Sequence, residues 1–342
     1  MYIWRRDKSI ARSYTSMHMD ILTLALFIVG FVVLIRGAEW LIEGSTVLAK
    51  QFGISDLIIG LTVIAFGTSL PELIVNLFAS AESSELAIGN IVGSNIANIL
   101  LILGVAAIIH PLTVHRTTVY REIIFNIGAA GILGVLVAER FLSAGGFKGL
   151  DQVDGIILVT YFAIFMYYTF GKVSTKSQSA AEKRKAKKDT INVGTVFLQI
   201  AGGIVGLWLG GAWIVDGAVE IATYFGVSEA LVGLTIVAIG TSLPELAASV
   251  VAVKKGNVDI AVGNAVGSNL FNIFWVLGLG SIVRPIGFSD ELVVDIAING
   301  AVALLLFGTM TIGRYRHQIS RSEGKVFIAA YIAYLVFAVI RG

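Results

Sequence analysis

Two glutamates, Glu72 and Glu245, stand inside long apolar runs, each directly behind Gly-Thr-Ser-Leu-Pro. A carboxylate at membrane depth is costly and calls for a functional explanation. The proline ahead of each removes a backbone donor and clashes with the carbonyl four residues back, so Pro71 and Pro244 are expected to break their helices. A broken helix frees carbonyl oxygens, which a bilayer tolerates only where protein or a polar cavity covers them. Thr68, Ser69 and Glu72 add side-chain oxygens beside those carbonyls, and Thr241, Ser242 and Glu245 repeat the set. Two further segments, GNIVGSNIAN (89–98) and GNAVGSNLFN (263–272), also match each other. Ser94 and Asn98 lie one helical turn apart and share a face, as do Ser268 and Asn272. The chain has no cysteine, and His18, His110, His115 and His317 fall in expected loops or tails. The available ligands are therefore oxygens, the chemistry of a hard cation. Calcium accepts about 6–8 oxygens in flexible geometry, whereas magnesium demands a near-ideal octahedron. Two carboxylates would neutralise one divalent cation or two monovalent ones.

The elements that must position these residues are membrane helices. The chain has 342 residues, of which 56% are hydrophobic and 14% charged, against about 25% charged in soluble domains. Apolar spans of about 17–25 residues mark transmembrane helices. The pattern places ten, near 20–48, 55–81, 85–110, 119–138, 152–171, 193–223, 228–253, 258–283, 291–312 and 325–341. The first and sixth are over-long, which implies strong tilt or a run past the interface. The first apolar run is long enough to span, so it does not read as a cleavable signal. The chain thus divides into a polar N-terminal arm (1–18), a first repeat of five helices (19–171), a basic linker (172–191) and a second repeat of five helices (192–342). The fold class is an all-α polytopic membrane protein with inverted-topology repeats, broken at helices 2 and 7.

Pro71 and Pro244 stand 173 positions apart, and Asn90 and Asn264 stand 174 apart. The match extends upstream, where Trp40 meets Trp213 and Glu43 meets Asp216. Five spans per half is an odd number, so the halves must lie in the membrane with opposite polarity, a plan common among secondary transporters. The linker, with Lys172, Lys176, Lys183, Arg184, Lys185, Lys187 and Lys188, orients the chain, because basic loops collect on the cytoplasmic side. Both termini then lie outside. The basic N-terminal arm (Arg5, Arg6, Lys8, Arg12) opposes that rule, and initiation at Met17 or Met19 would remove the conflict. Glu39, Glu43, Asp216 and Glu220 fall near span ends, where interfacial placement or pairing, for instance with Arg36, is the simpler expectation.

GTSLPE and GNxxGSNxxN, each present twice, resemble the two alpha repeats of the calcium/cation antiporter superfamily, the sodium/calcium exchangers, and especially its prokaryotic branch. The resemblance covers nearly the whole hydrophobic chain and leaves out the N-terminal arm and the basic linker. It implies ten helices in inverted repeats with both termini outside. It implies a divalent-ion site between Glu72 and Glu245, with backbone oxygens from Thr68 and Thr241. It also implies flanking sodium sites that use oxygens at Ala65, Ser69, Ser94, Ala238, Ser242 and Ser268, with Asn98 and Asn272 at the centre. Some relatives carry aspartate at a central position, potassium-dependent exchangers among them. Asparagine at both positions here implies potassium independence and only two formal negative charges.

On this reading Na⁺ and Ca²⁺ are substrates, the lipid bilayer is a further partner, and no cofactor, nucleic acid or enzymatic activity is expected. The resemblance further implies exchange of three sodium ions for one calcium. It also implies that the over-long first and sixth helices slide across the other eight. A proton-coupled cation exchanger of the same superfamily is the alternative, since a carboxyl group taken out of water holds a proton more readily. Proton-coupled relatives usually carry a different, Gly-Asn-rich motif in place of GTSLPE. An intramembrane hydrolase using Ser69 or Ser242 is remote: a serine nucleophile needs an adjacent base, and neither histidine nor lysine is expected at that depth. A simple channel suits two inverted half-sites less well than alternating access.

Overall fold

The computed structural model describes residues 21–79, 84–142, 149–171, 192–225, 238–287, 290–312 and 315–341. The polar arm, the basic linker and the beginning of the seventh span lie outside the described residues.

Among the described residues the chain is almost wholly helical. The first repeat runs α1 (Ile21–Phe52), α2 (Asp56–Thr68), α3 (Leu70–Ala79), α4 (84–109), α5 (Glu122–Leu142) and α6 (Gln152–Gly171). The second runs α7 (Val193–Tyr224), α8 (Ala238–Thr241), α9 (Leu243–Lys254), α10 (Val258–Val283), α11 (Asp290–Ile312) and α12 (Arg321–Arg341). Eight of these runs are long and apolar enough to cross a membrane. The pairs α2–α3 and α8–α9 are the second and seventh spans, each broken as its proline requires. α1 and α7 have 32 residues each, about 48 Å of helix for a hydrocarbon core about 30 Å thick. Their outward faces carry Ile28, Phe31, Val32, Phe197, Leu198 and Val205, all exposed, as a lipid-facing surface requires. Polar side chains are buried instead in the interior of the bundle.

Four two-residue strands tie the repeats together at their loops. β1 (Leu112–Thr113) pairs antiparallel with β4 (Gln318–Ile319), and β2 (Gly149–Leu150) pairs antiparallel with β3 (Ile286–Gly287). β1 and β4 follow the third and ninth spans, and β2 and β3 follow the fourth and eighth. In a chain of alternating spans each pair therefore joins loops on one side of the bilayer, and the two pairs cap opposite sides.

Glycine sets the closest helix crossings. α1 carries Gly30, Gly37 and Gly44 at seven-residue intervals, and α7 carries Gly203, Gly210 and Gly217 at the same intervals. A Cβ on Gly37 would lie 2.6 Å from the backbone nitrogen of Leu207, and one on Gly203 would lie 2.6 Å from that of Leu41. The two long helices thus pack backbone against backbone, as small residues permit in membranes. α2 and α10 meet in the same way: a Cβ on Gly60 would lie 2.7 Å from the Ile260 carbonyl oxygen, and one on Gly263 2.7 Å from that of Leu57.

Of the acids near span ends, Glu39 pairs with Arg36 at 2.8 Å within α1, as its spacing suggests. Glu43 instead reaches Lys255 beyond the end of α9, at 2.6 Å.

Candidate ion-binding site

The site begins at the two breaks. Ser69 has φ −88°, ψ 4° and Ser242 has φ −90°, ψ 3°, so both serines leave the helical path in the same way one residue before Leu-Pro. Proline in the first turn of α3 and α9 costs little, because its missing N–H would have no intrahelical partner there. It also deprives Gly67 and Gly240, four residues upstream, of the N–H that would bond their carbonyls. Glu72 and Glu245 fall in the first turns of α3 and α9, where the helix dipole favours negative charge.

Ser-Leu-Pro-Glu also has the form of a capping box, in which serine would bond its own helix's third N–H. The hydroxyls of both serines reach across to the other repeat. Ser69 Oγ donates to Glu245 Oε1 in the other repeat, at 3.1 Å. Ser242 makes no side-chain bond to its own helix and meets Ser94 Oγ at 3.5 Å. Each repeat thus uses its capping serine to reach into the opposite half.

The second pair of segments completes the enclosure. Thr68 Oγ1 donates to Asn264 Oδ1 at 3.1 Å, and Thr241 Oγ1 donates to Asn90 Oδ1 at 3.2 Å, the same bond in the two halves. Thr68 also lies 3.5 Å from Ser268 Oγ. Asn264 Nδ2 donates to the Glu245 carbonyl oxygen and to Ser249 Oγ, bracing the broken span from behind. At the centre, Asn95 and Asn269 each donate Nδ2 to the other's backbone carbonyl, at 3.4 and 3.3 Å. Asn98 Nδ2 donates to Asn269 Oδ1 at 2.9 Å, and Asn272 Nδ2 donates to Asn95 Oδ1 at 3.0 Å. This reciprocity is what an inverted repeat produces when its two copies meet on a local twofold axis. Asn98 opens a π-helical turn (Asn98–Ile102), and Asn272 lies in another (Phe271–Leu277); such wide turns occur often at functional sites.

Glu72, Glu245, Thr68, Ser69, Ser242, Ser94, Ser268, Asn98 and Asn272 are all buried, as is Ala65. Thr241 is partly buried, and Ala238 contributes the first backbone position of α8. No lysine, arginine or histidine among the described residues pairs with either glutamate. Yet Glu72 Oε2, Glu245 Oε2, Asn98 Oδ1 and Asn272 Oδ1 are buried with no hydrogen-bond donor. Buried polar atoms ordinarily find partners, and an unpaired buried carboxylate is expensive. Four partnerless oxygens, two of them on acids, could be satisfied by a dehydrated cation. Beyond the two acids every oxygen here is neutral, and among the described residues no three acidic, histidine or cysteine side chains cluster.

Sequence reasoning missed Asn90, Asn95, Asn264 and Asn269 as members of the polar cluster, although all four stand in the matched segments. For Asn95 and Asn269 the signal was their place as the first asparagine of each GSNxxN, three residues before Asn98 or Asn272 and so on a neighbouring part of the same helix face.

Known proteins resemble this chain over nearly its whole length. Residues 22–171 and 195–340 match the family described as sodium/calcium exchanger protein. Inner membrane protein YrbG of Escherichia coli strain K12 is 36% identical over 332 residues, covering 92% of this chain and 96% of its own. Sodium/calcium exchanger MaX1 of Methanosarcina acetivorans is 31% identical over 345 residues, covering 91% and 97%. Among solved structures, the sodium-calcium exchanger NCX_Mj, soaked with Na⁺ and Ca²⁺, superposes with a TM-score of 0.77 at 32% identity, covering 92% of this chain and 98% of that one. The chain belongs to the sodium/calcium exchanger family, within the calcium/cation antiporter superfamily, and is a multi-pass membrane antiporter.

Proposed function

We propose that this protein exchanges Na⁺ for Ca²⁺ by alternating access, three sodium ions for one calcium, without potassium. Calcium is held between Glu72 and Glu245 with the backbone oxygens of Thr68 and Thr241. Sodium uses flanking oxygens from Ala65, Ser69, Ser94, Ala238, Ser242 and Ser268, and Asn98 and Asn272 close the centre. The observation that carries this reading is the set of four buried, donorless oxygens on Glu72, Glu245, Asn98 and Asn272.

Coupling is competition. Both ions need the same two carboxylates, so occupancy by one excludes the other. Two negative charges balance one Ca²⁺ but leave three Na⁺ with a net charge of +1, so turnover moves charge. α1 and α7 move together across the other helices to expose the site to alternate sides; their backbone-to-backbone crossing supports motion as a unit. The basic linker faces the cytoplasm and both termini face outward.

The test is ⁴⁵Ca²⁺ uptake into proteoliposomes under an outward sodium gradient and, separately, under a pH gradient. The expected result is uptake under the sodium gradient alone, unchanged by K⁺, and abolished in Glu72→Gln and in Glu245→Gln. Uptake driven by the pH gradient without sodium would assign the proton-coupled alternative instead.

A further inference from the structure

The four central asparagines are tied in a crossed pattern, and the pattern fixes which way two of them face. A carboxamide accepts through oxygen and donates through nitrogen. Asn98 gives its nitrogen to Asn269 Oδ1, and Asn272 gives its own to Asn95 Oδ1. The oxygens of Asn98 and Asn272 are thereby turned away, into buried positions where no donor meets them. Asn95 and Asn269 are themselves held, since each gives its nitrogen to the other's backbone carbonyl. Were Asn98 or Asn272 to flip, an N–H would stand where the oxygen is, and a cation would meet a donor in place of a lone pair.

We infer that Asn95 and Asn269 are positioning residues, each orienting the ligand amide of the opposite repeat: Asn269 sets Asn98, and Asn95 sets Asn272. This rests on the reading of Asn98 and Asn272 as part of the ion site. Asn95 and Asn269 act through those amides; their own oxygens and nitrogens are already committed.

The test is a crossed rescue, read as the calcium concentration that half-saturates sodium-driven ⁴⁵Ca²⁺ uptake. Asn269→Leu keeps the volume but removes the anchor, and is expected to raise that concentration about tenfold with little change in maximal rate. Asn98→Asp puts an oxygen at both ends of the side chain, so orientation ceases to matter. In an Asn98→Asp background, adding Asn269→Leu should therefore cause no further rise. Asn272→Asp should not rescue Asn269→Leu. Asn95→Leu should show the mirror pattern, rescued by Asn272→Asp and not by Asn98→Asp. A general packing defect would not discriminate between the two aspartates. An unshifted Asn269→Leu, rescue by both aspartates or rescue by neither overturns the inference. Where leucine lowers the yield of folded protein, Asn269→Ala and Asn95→Ala carry the same comparison. Glu72→Gln, measured alongside, separates the two levels. Lost flux in Glu72→Gln with an unshifted Asn269→Leu rejects the positioning role alone, whereas retained flux in Glu72→Gln rejects the site beneath it.

Discussion

Ser69 shows how one side chain can serve the site instead of the fold. By sequence it is a helix cap, yet its hydroxyl is given to Glu245 across the repeat boundary. A hydrogen bond to a charged group is worth about 1.5–3 kcal/mol, so Ser69→Ala should raise half-saturating calcium about ten- to a hundredfold in ⁴⁵Ca²⁺ uptake. Thermal stability should fall little, because the lost bond runs across the repeats to Glu245 and not along α3. The two glutamates were legible from the sequence because an acid in an apolar run has no cheap structural explanation. The serine's true partner was not, because it lies 176 residues away and a capping box explains the same letters locally. Asn95 and Asn269 were overlooked for a related reason. Their bonds run between repeats, and only their three-residue spacing from Asn98 and Asn272 hinted at a common face.

The broken spans are decided at the scale of the element. Pro71 and Pro244 announced them, and the structure places both breaks at the preceding serines with nearly equal dihedral angles. Pro71→Ala would restore an N–H opposite the Gly67 carbonyl and allow α2 and α3 to join. The expected outcome is an unchanged or higher melting temperature with ⁴⁵Ca²⁺ uptake lowered about tenfold or more, since alanine favours a continuous helix by about 3 kcal/mol over an interior proline. A variant that loses stability and keeps its transport would show that the break is structural and not functional. The π-helical turns at Asn98 and Phe271 had no sequence signal. The seven-residue glycine series on α1 and α7 was visible in the letters, but its meaning depended on learning that these two helices cross each other.

For the whole molecule, the duplication and the odd number of spans per half were enough to infer inverted repeats. The reciprocal bonds Thr68–Asn264 and Thr241–Asn90, and the asparagine cross, express that symmetry in atoms. The loop pairing of β1 with β4 and β2 with β3 was not legible, because two-residue strands carry no periodicity. The proposed exchange of three Na⁺ for one Ca²⁺ would have a global consequence. In sodium-loaded vesicles taking up calcium, one positive charge leaves per cycle, and 100 mV is worth about 2.3 kcal/mol per charge. An inside-positive potential should therefore accelerate ⁴⁵Ca²⁺ uptake and an inside-negative one slow it. Uptake indifferent to potential would require two Na⁺ per Ca²⁺.

The central claim is that Glu72 and Glu245, one from each half, share a single divalent ion. Calorimetric titration of the purified protein with Ca²⁺ in sodium-free detergent solution tests it most directly. The account predicts one calcium per chain, displaced by Na⁺, with binding lost in Glu72→Gln and equally in Glu245→Gln. Two calcium ions per chain, or full binding in either single variant, would contradict it.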